Sequence, residues 1–375
     1  MLTKLKVAHL RLCYSRRAYV RAYPNEAHEM LFDAQARAFA HLDGVPRRGV
    51  YDNMKTAVTA IGVGKARLFN RRFQAMASHY LFTPDACTPA SGWEKGQVEN
   101  QVGTLREWLF VPQLTFPDLA TLNAWLEQRC DELAAERLHP ERRDQTIAAM
   151  FALEQSALGP LPPPFDGYTE RLCRVTSQSL VHLERNRYSV PCSHVGQAVS
   201  IRIYADHLRI IAEGQVLAEH PRQFVPYQTL YDPWHYVPAL AKKPGALRNG
   251  APFVNWALPR PIKTVQARLM KLSGGDRQFV AILAAIPVEG AEAVTVACEL
   301  ALEAGVISAD YVLNTLHRLK ATPDTPVVET PDRLRLKEEP QADMARYDRL
   351  LKGEIPALAW LIIAPAFVGV THVAA

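Results

Sequence analysis

Apolar and polar residues alternate along Lys6-Val7-Ala8-His9-Leu10-Arg11-Leu12-Cys13-Tyr14, the period of two that predicts a strand. Arg17 to Tyr23 predicts a second strand, joined to the first by a short turn near Ser15. Pro24 ends it. Ala27, Leu31, Ala34, Ala38 and Leu42 then recur at helical spacing, with Asn25 expected as the N-cap, Gly44 closing the helix and Pro46 barring its continuation. Arg48-Gly49-Val50-Tyr51 predicts a short strand ending on Asp52-Asn53, followed by a basic loop with Lys55, Lys65 and Arg67 and a helix over Arg71 to Tyr80. Thr88 to Gly92 reads as a turn. Beyond it Val98, Val102, Leu105 and Leu109 mark a helix with one buried stripe.

Further along, Thr121 to Glu136 predicts a helix with Leu122, Trp125, Leu126, Cys130 and Leu133 on one side. Pro160-Leu161-Pro162-Pro163-Pro164 is a stiff linker and the best domain boundary. Alternation over Leu180–Val190 and Ala198–His220 predicts a small β domain with turns at Ala205-Asp206 and Glu213-Gly214. Residues 262–319 read as helices broken at Gly305-Val306-Ile307-Ser308. Ile355 to Ala375 is uncharged and apolar-rich, but Pro356, Pro365 and Gly369 interrupt it, so a disordered or non-native tail is expected there rather than an anchor.

Composition narrows the class. The chain has 375 residues, 48% hydrophobic and 22% charged, as in a soluble globular protein of two or three domains. The net charge is only +5, yet residues 1–110 hold 16 Lys and Arg against 9 Asp and Glu, so a polyanionic partner is expected there first. Cys13, Cys87, Cys130, Cys173, Cys192 and Cys298 form no Cys-x-x-Cys pair, which argues against a zinc site or disulfide framework and suits a reducing cytoplasm. No internal repeat, phosphate-cradling Gly-rich loop or Ser or Cys nucleophile constellation is evident.

Candidate chemistry centres on Asp52, at the end of a predicted strand, and Glu99, near the start of a predicted helix. Carboxylate oxygens suit Mg2+ or Mn2+, which keep several waters. Two such ions about 3.5–4 Å apart can hold the attacking and leaving oxygens of an in-line phosphoryl displacement. Alone, Lys95 and Glu99 read first as an i,i+4 surface pair contributing about 0.2–0.5 kcal/mol, and the sharper reading needs the second carboxylate upstream.

The segments Gly44 to Val58, Lys95-Gly96-Gln97-Val98-Glu99-Asn100 and Tyr14 to Val20 resemble, respectively, the second-aspartate segment, the glutamate helix and the early strand pair of the IstA-type transposases. These belong to the insertion-sequence twenty-one family, in the retroviral-integrase superfamily. Asn186-Arg187-Tyr188-Ser189-Val190-Pro191 is similar to the start of the β-barrel that follows the core in that family and in phage Mu transposase. The resemblance implies an α/β fold: a partial RNase H-like integrase core over 1–112, a helical extension over 113–160, a small β-barrel over 166–228, a helical assembly region over 240–350 and the apolar tail at 355–375.

The resemblance also implies function. Asp52 and Glu99 become the second and third catalytic, metal-binding carboxylates. Lys55, Arg71, Arg72 and Lys95 become DNA contacts, Mg2+ or Mn2+ the cofactor, and double-stranded DNA, an AAA+ ATPase helper and a homo-oligomer the partners. The chain has no Val-Asp-Trp-Gly-like run before Lys6, so the implied core lacks its first strand and first aspartate, as in an N-terminally truncated copy with impaired activity. Asp33 and Asp43 are the nearest acids and sit poorly for substitution. A non-catalytic DNA-binding remnant and an RNase H-like nuclease stand as the other readings.

Overall fold

Each element forms where the local chemistry satisfies its backbone. The computed structural model describes residues 4–51, 58–61, 67–86, 103–112 and 114–320. The first strands, β1 (Lys6–Arg11) and β2 (Ala18–Tyr23), pair antiparallel with Lys6 opposite Tyr23. Helix α1 (His28–His41) follows, with Ala27 at the N-cap and no side-chain cap. The expected cap, Asn25, instead accepts the Ala27 N–H at 3.1 Å, so it forms a turn ahead of the helix.

The C-terminus of α1 also departs from expectation. The left-handed residue is Asp43, at φ 50°, while Gly44 N–H reaches Phe39 O at 3.1 Å and Asp43 N–H reaches Ala40 O at 3.2 Å. That is the paired closure of a Schellman motif. Gly44 is required for a different reason: a Cβ there would lie 2.7 Å from Leu158 Cβ.

Next come β3 (Arg48–Tyr51), β4 (Val58–Ile61), β5 (Arg67–Phe69), α2 (Arg71–Tyr80) and β6 (Thr83–Ala86). β3 pairs parallel with β6, and β4 pairs antiparallel with β5. The predicted basic loop is therefore in part a hairpin, and β6 is a strand that the sequence pattern did not reveal. Proline at Pro84 hides it from propensity, since a missing N–H is tolerated on an edge strand. Helix α2 starts where expected because the Asn70 side chain accepts from Arg72 and Phe73 N–H. Phe32, Phe39, Tyr51, Phe73, Met76, Tyr80 and Phe82 pack together around α1 and α2. Burying each such side chain contributes about 1.5–3 kcal/mol.

Residues 103–110 (α3) and Leu119–Glu136 (α4) cover the β1–β2 pair. Leu122, Leu126, Cys130 and Leu133 point inward, as the periodicity predicts. Between them is a buried polar residue, Asn123. Its amide accepts Ala22 N–H at 2.7 Å and donates to Ala22 O at 3.0 Å, so a side chain supplies the ladder bonds that a neighbouring strand would give β2. Helix α5 (Ile147–Glu154) packs on α4 and begins at a Thr146 cap.

Past the prolines, two sheets share one apolar core. One has the order β12 (Gln215–Pro221), β11 (His207–Ala212), β10 (Ala198–Ile203), β7 (Thr169–Arg174). The other has the order β13 (Thr229–Leu230), β9 (Asn186–Ser189), β8 (Leu180–Leu183). The tight turns rest on left-handed pairs, Glu184-Arg185 and Glu213-Gly214. Short helices α6 (Val237–Leu240) and α7 (Ala246–Asn249) lead to α8 (Arg260–Leu269), α9 (Gly275–Glu289), α10 (Ala291–Glu303) and α11 (Ala309–Lys320). Gly274, Gly290 and Gly305 take positive φ at the breaks between them. The chain is thus a mixed α/β protein with a helical C-terminal region. Among the described residues no helix is long and apolar enough to cross a membrane, and the 355–375 stretch lies outside them.

Candidate functional site

Strand β3 ends at Tyr51, the residue before Asp52. Tyr51 is fixed from several sides: its hydroxyl accepts from Gln35 Nε2 at 2.6 Å, and its ring meets Phe73 edge-on at 4.9 Å. Burial pushes its phenol well above the usual range, so it stays neutral. The approach to Asp52 is therefore anchored in the aromatic cluster. Asp52 itself, with Lys55, Lys95 and Glu99, lies outside the described residues.

Arg71 and Arg72 open α2. Arg71 is exposed with no ion-pair partner among the described residues. Arg72 is held by the chain itself: it stacks over Tyr168 at 4.3 Å and Phe165 at 5.3 Å and donates to Asp166 O at 2.8 Å. It ties α2 to the segment that enters β7.

Of the two nearest other acids, Asp33 is already engaged by its neighbours. Asp33 accepts from Tyr23 Oη at 2.7 Å, from Arg37 Nε at 2.9 Å on each oxygen, and lies 3.3 Å from Arg21 Nε. Asp43 is the left-handed residue closing α1. Among the described residues no group of three or more His, Cys, Asp or Glu could hold a metal ion.

Two cavities flank α3. One of about 630 Å³ is lined by Arg11, Leu105, Trp108, Cys130 and Arg137, with the Arg137 guanidinium 4.3 Å from the Trp108 ring centre. The other, of about 940 Å³, lies against Val7, His9, Leu109 and Leu122. His9 Nε2 is buried there without a hydrogen-bond partner, and burial, then Arg11, lowers its pKa to about 4.

A serine–histidine–aspartate set that the sequence reading missed lies where β9 meets the segment before α6. Ser189 Oγ is 2.8 Å from His235 Nδ1, and Asp232 Oδ2 is 3.6 Å from His235 Nε2. Forty-odd residues separate the serine from the histidine, so no local motif could signal it. Ser189 is fully buried and its Oγ already accepts Asp232 N–H at 2.7 Å. No substrate carbonyl can reach it, so the set pins two segments together rather than forming an acyl-transfer site.

Residues 161–232 match the C-terminal domain of Mu transposase, a span that contains both β sheets. A transposase of Aminobacter aminovorans is 50% identical over 362 residues, 94% of this chain and 70% of that protein. The transposase for insertion sequences IS1326/IS1353 of Pseudomonas aeruginosa is 51% identical over 355 residues, 93% of this chain and 69% of its own length. The IS21 transposase of Pseudomonas aeruginosa is 37% identical over 58% of this chain and 56% of its own. A chain in a structure of the simian T-cell lymphotropic virus intasome in complex with PP2A regulatory subunit B56 gamma superposes over 58% of this chain and 74% of its own, with 15% identity and a TM-score of 0.30, too loosely to argue from. Half-identity across more than nine-tenths of the sequence settles the relationship: the chain belongs to the family of insertion-sequence transposases that includes those of IS1326/IS1353 and IS21.

Proposed function

We propose that this chain joins DNA strands by phosphoryl transfer at a carboxylate site containing Asp52 and Glu99, in a core of RNase H-like integrase type. The observation that carries the reading is the near-complete alignment with transposases at about half identity. The donor set suits Mg2+ or Mn2+, hard ions that take carboxylate oxygen. Bound there, they would stabilise negative charge on the attacking and leaving oxygens. The chain's own part is to aim Asp52 from the end of β3, to bring Glu99 to it, and to hold phosphates with Lys55, Arg71 and Lys95. Arg72 would contribute through position, tying the start of α2, where Arg71 stands, to the segment that enters β7.

The 166–228 region acts as a small barrel, the 240–350 region in assembly, and the partners are duplex DNA, an AAA+ ATPase helper and further copies of the chain.

Mn2+ binding tests the site directly. Electron paramagnetic resonance of free Mn2+ should show uptake by the protein that Asp52→Asn and Glu99→Gln each weaken. Unchanged uptake in both variants would remove these residues from the metal site.

A further inference from the structure

Between Asp232 and Asp276 the sequence contains no aspartate or glutamate, while eight Lys and Arg fall between Lys242 and Arg277. Helix α8 concentrates them. Ile262, Val265 and Leu269 turn inward, all fully buried. Arg260, Lys263 and Arg268 lie exposed on the opposite side, and Lys271 continues the row past the helix end. The one acid nearby is consumed: Asp276 is held by Arg248 at 2.6 Å. Lys242, Lys243, Arg260, Lys263, Arg268 and Lys271 have no ion-pair partner among the described residues. In contrast, Phe279 to Glu303 carries four glutamates and no Lys or Arg.

We infer that the solvent face of α8, with Lys271, is a second nucleic-acid contact surface that grips the phosphate backbone of duplex DNA. The inference rests on the reading that this chain acts on DNA. An ordinary solvated face interleaves both signs; this one holds a single sign along about 16 Å from Arg260 to Lys271. Duplex DNA presents a phosphate charge about every 1.7 Å of axis, so a row of that length faces several phosphates at once. A protein partner is disfavoured because protein interfaces centre on apolar side chains and are depleted in lysine. The exposed remainder of the α8 face is Thr264 and Ala267. With no base-reading group on the row, the contact is independent of sequence.

The test is binding of the full chain to a short duplex of arbitrary sequence, followed by fluorescence anisotropy between about 50 and 200 mM salt. Lys263→Gln/Arg268→Gln/Lys271→Gln should leave the melting temperature unchanged. It should bind roughly tenfold more weakly at low salt and flatten the log-affinity against log-salt slope by about 2 to 3. Glu292→Gln/Glu299→Gln on α10 should bind as the parent does. Parental affinity and slope in the triple variant would overturn the inference. So would tighter binding of polyglutamate than of duplex, or a triple variant altered only in self-association. Absence of DNA joining by a parent chain that binds duplex would count against the catalytic reading and leave this contact standing.

Discussion

Arg222 and Glu29, 193 positions apart in the chain, are joined by a buried ion pair with Nη1 2.7 Å from Oε1. Glu29 lies in the first turn of α1, and Arg222 follows β12, so the pair fastens the two-sheet region to the core helix. Arg222 also donates to Glu184 at 2.9 Å and to Tyr204 O at 2.9 Å, and Glu29 accepts from Thr169 Oγ1 at 3.1 Å. Removing one partner strands a charge away from water. Arg222→Met is expected to lower stability by about 3–5 kcal/mol, with Glu29→Met/Arg222→Met recovering part of the loss. Urea unfolding of the three proteins checks it; a single variant as stable as the parent would mean that the pair contributes nothing net.

Three histidines should make the fold sensitive to mild acid. Burial holds His9 and His235 at about 4 and also lowers His220, whose Nε2 sits 2.7 Å from Ser189 O. In the unfolded chain each takes a proton near pH 6.5. Between about pH 6.5 and 4 the unfolded state therefore binds more protons, and stability falls as pH falls through that window. These groups add no further loss once the pH is below their folded values. The melting temperature should drop from pH 7 to pH 5, and His235→Gln should shrink the drop. A flat profile would contradict the burial argument.

Adjacent residues at the end of α1 should respond oppositely. Gly44→Ala forces a Cβ against Leu158 and should cost about 1–3 kcal/mol. Asp43→Gly relieves a left-handed non-glycine residue at φ 50° and should be neutral or stabilising by up to about 1 kcal/mol. Thermal unfolding of the two variants separates them.

The elements legible in the sequence were those specified by neighbours in the chain. Helix α2 is bounded by the Asn70 cap and a run of periodic apolar residues, and α4 by Asp118 and the Leu122–Leu133 stripe. The turn at Glu213-Gly214 is equally local. What escaped was long-range or disguised. Asn123 looks like an ordinary helix amide until its partner, Ala22, arrives from 101 residues away. β6 is masked by Pro84, and the charge tally of the first third drew attention from α8, whose basic row shows only when one helix face is viewed alone. Of the candidate site, the strand leading to Asp52 and the arginines opening α2 were legible. The role of Arg72 was not, because its aromatic partners Phe165 and Tyr168 lie in another region.

The most direct measurement of the central claim is strand joining. Duplex DNA with element ends would be incubated with Mg2+ and helper ATPase, using the parent chain and its Asp52→Asn and Glu99→Gln variants. The account predicts joining by the parent. It predicts that each substitution abolishes joining while DNA binding persists. Joining that survives both substitutions would contradict it.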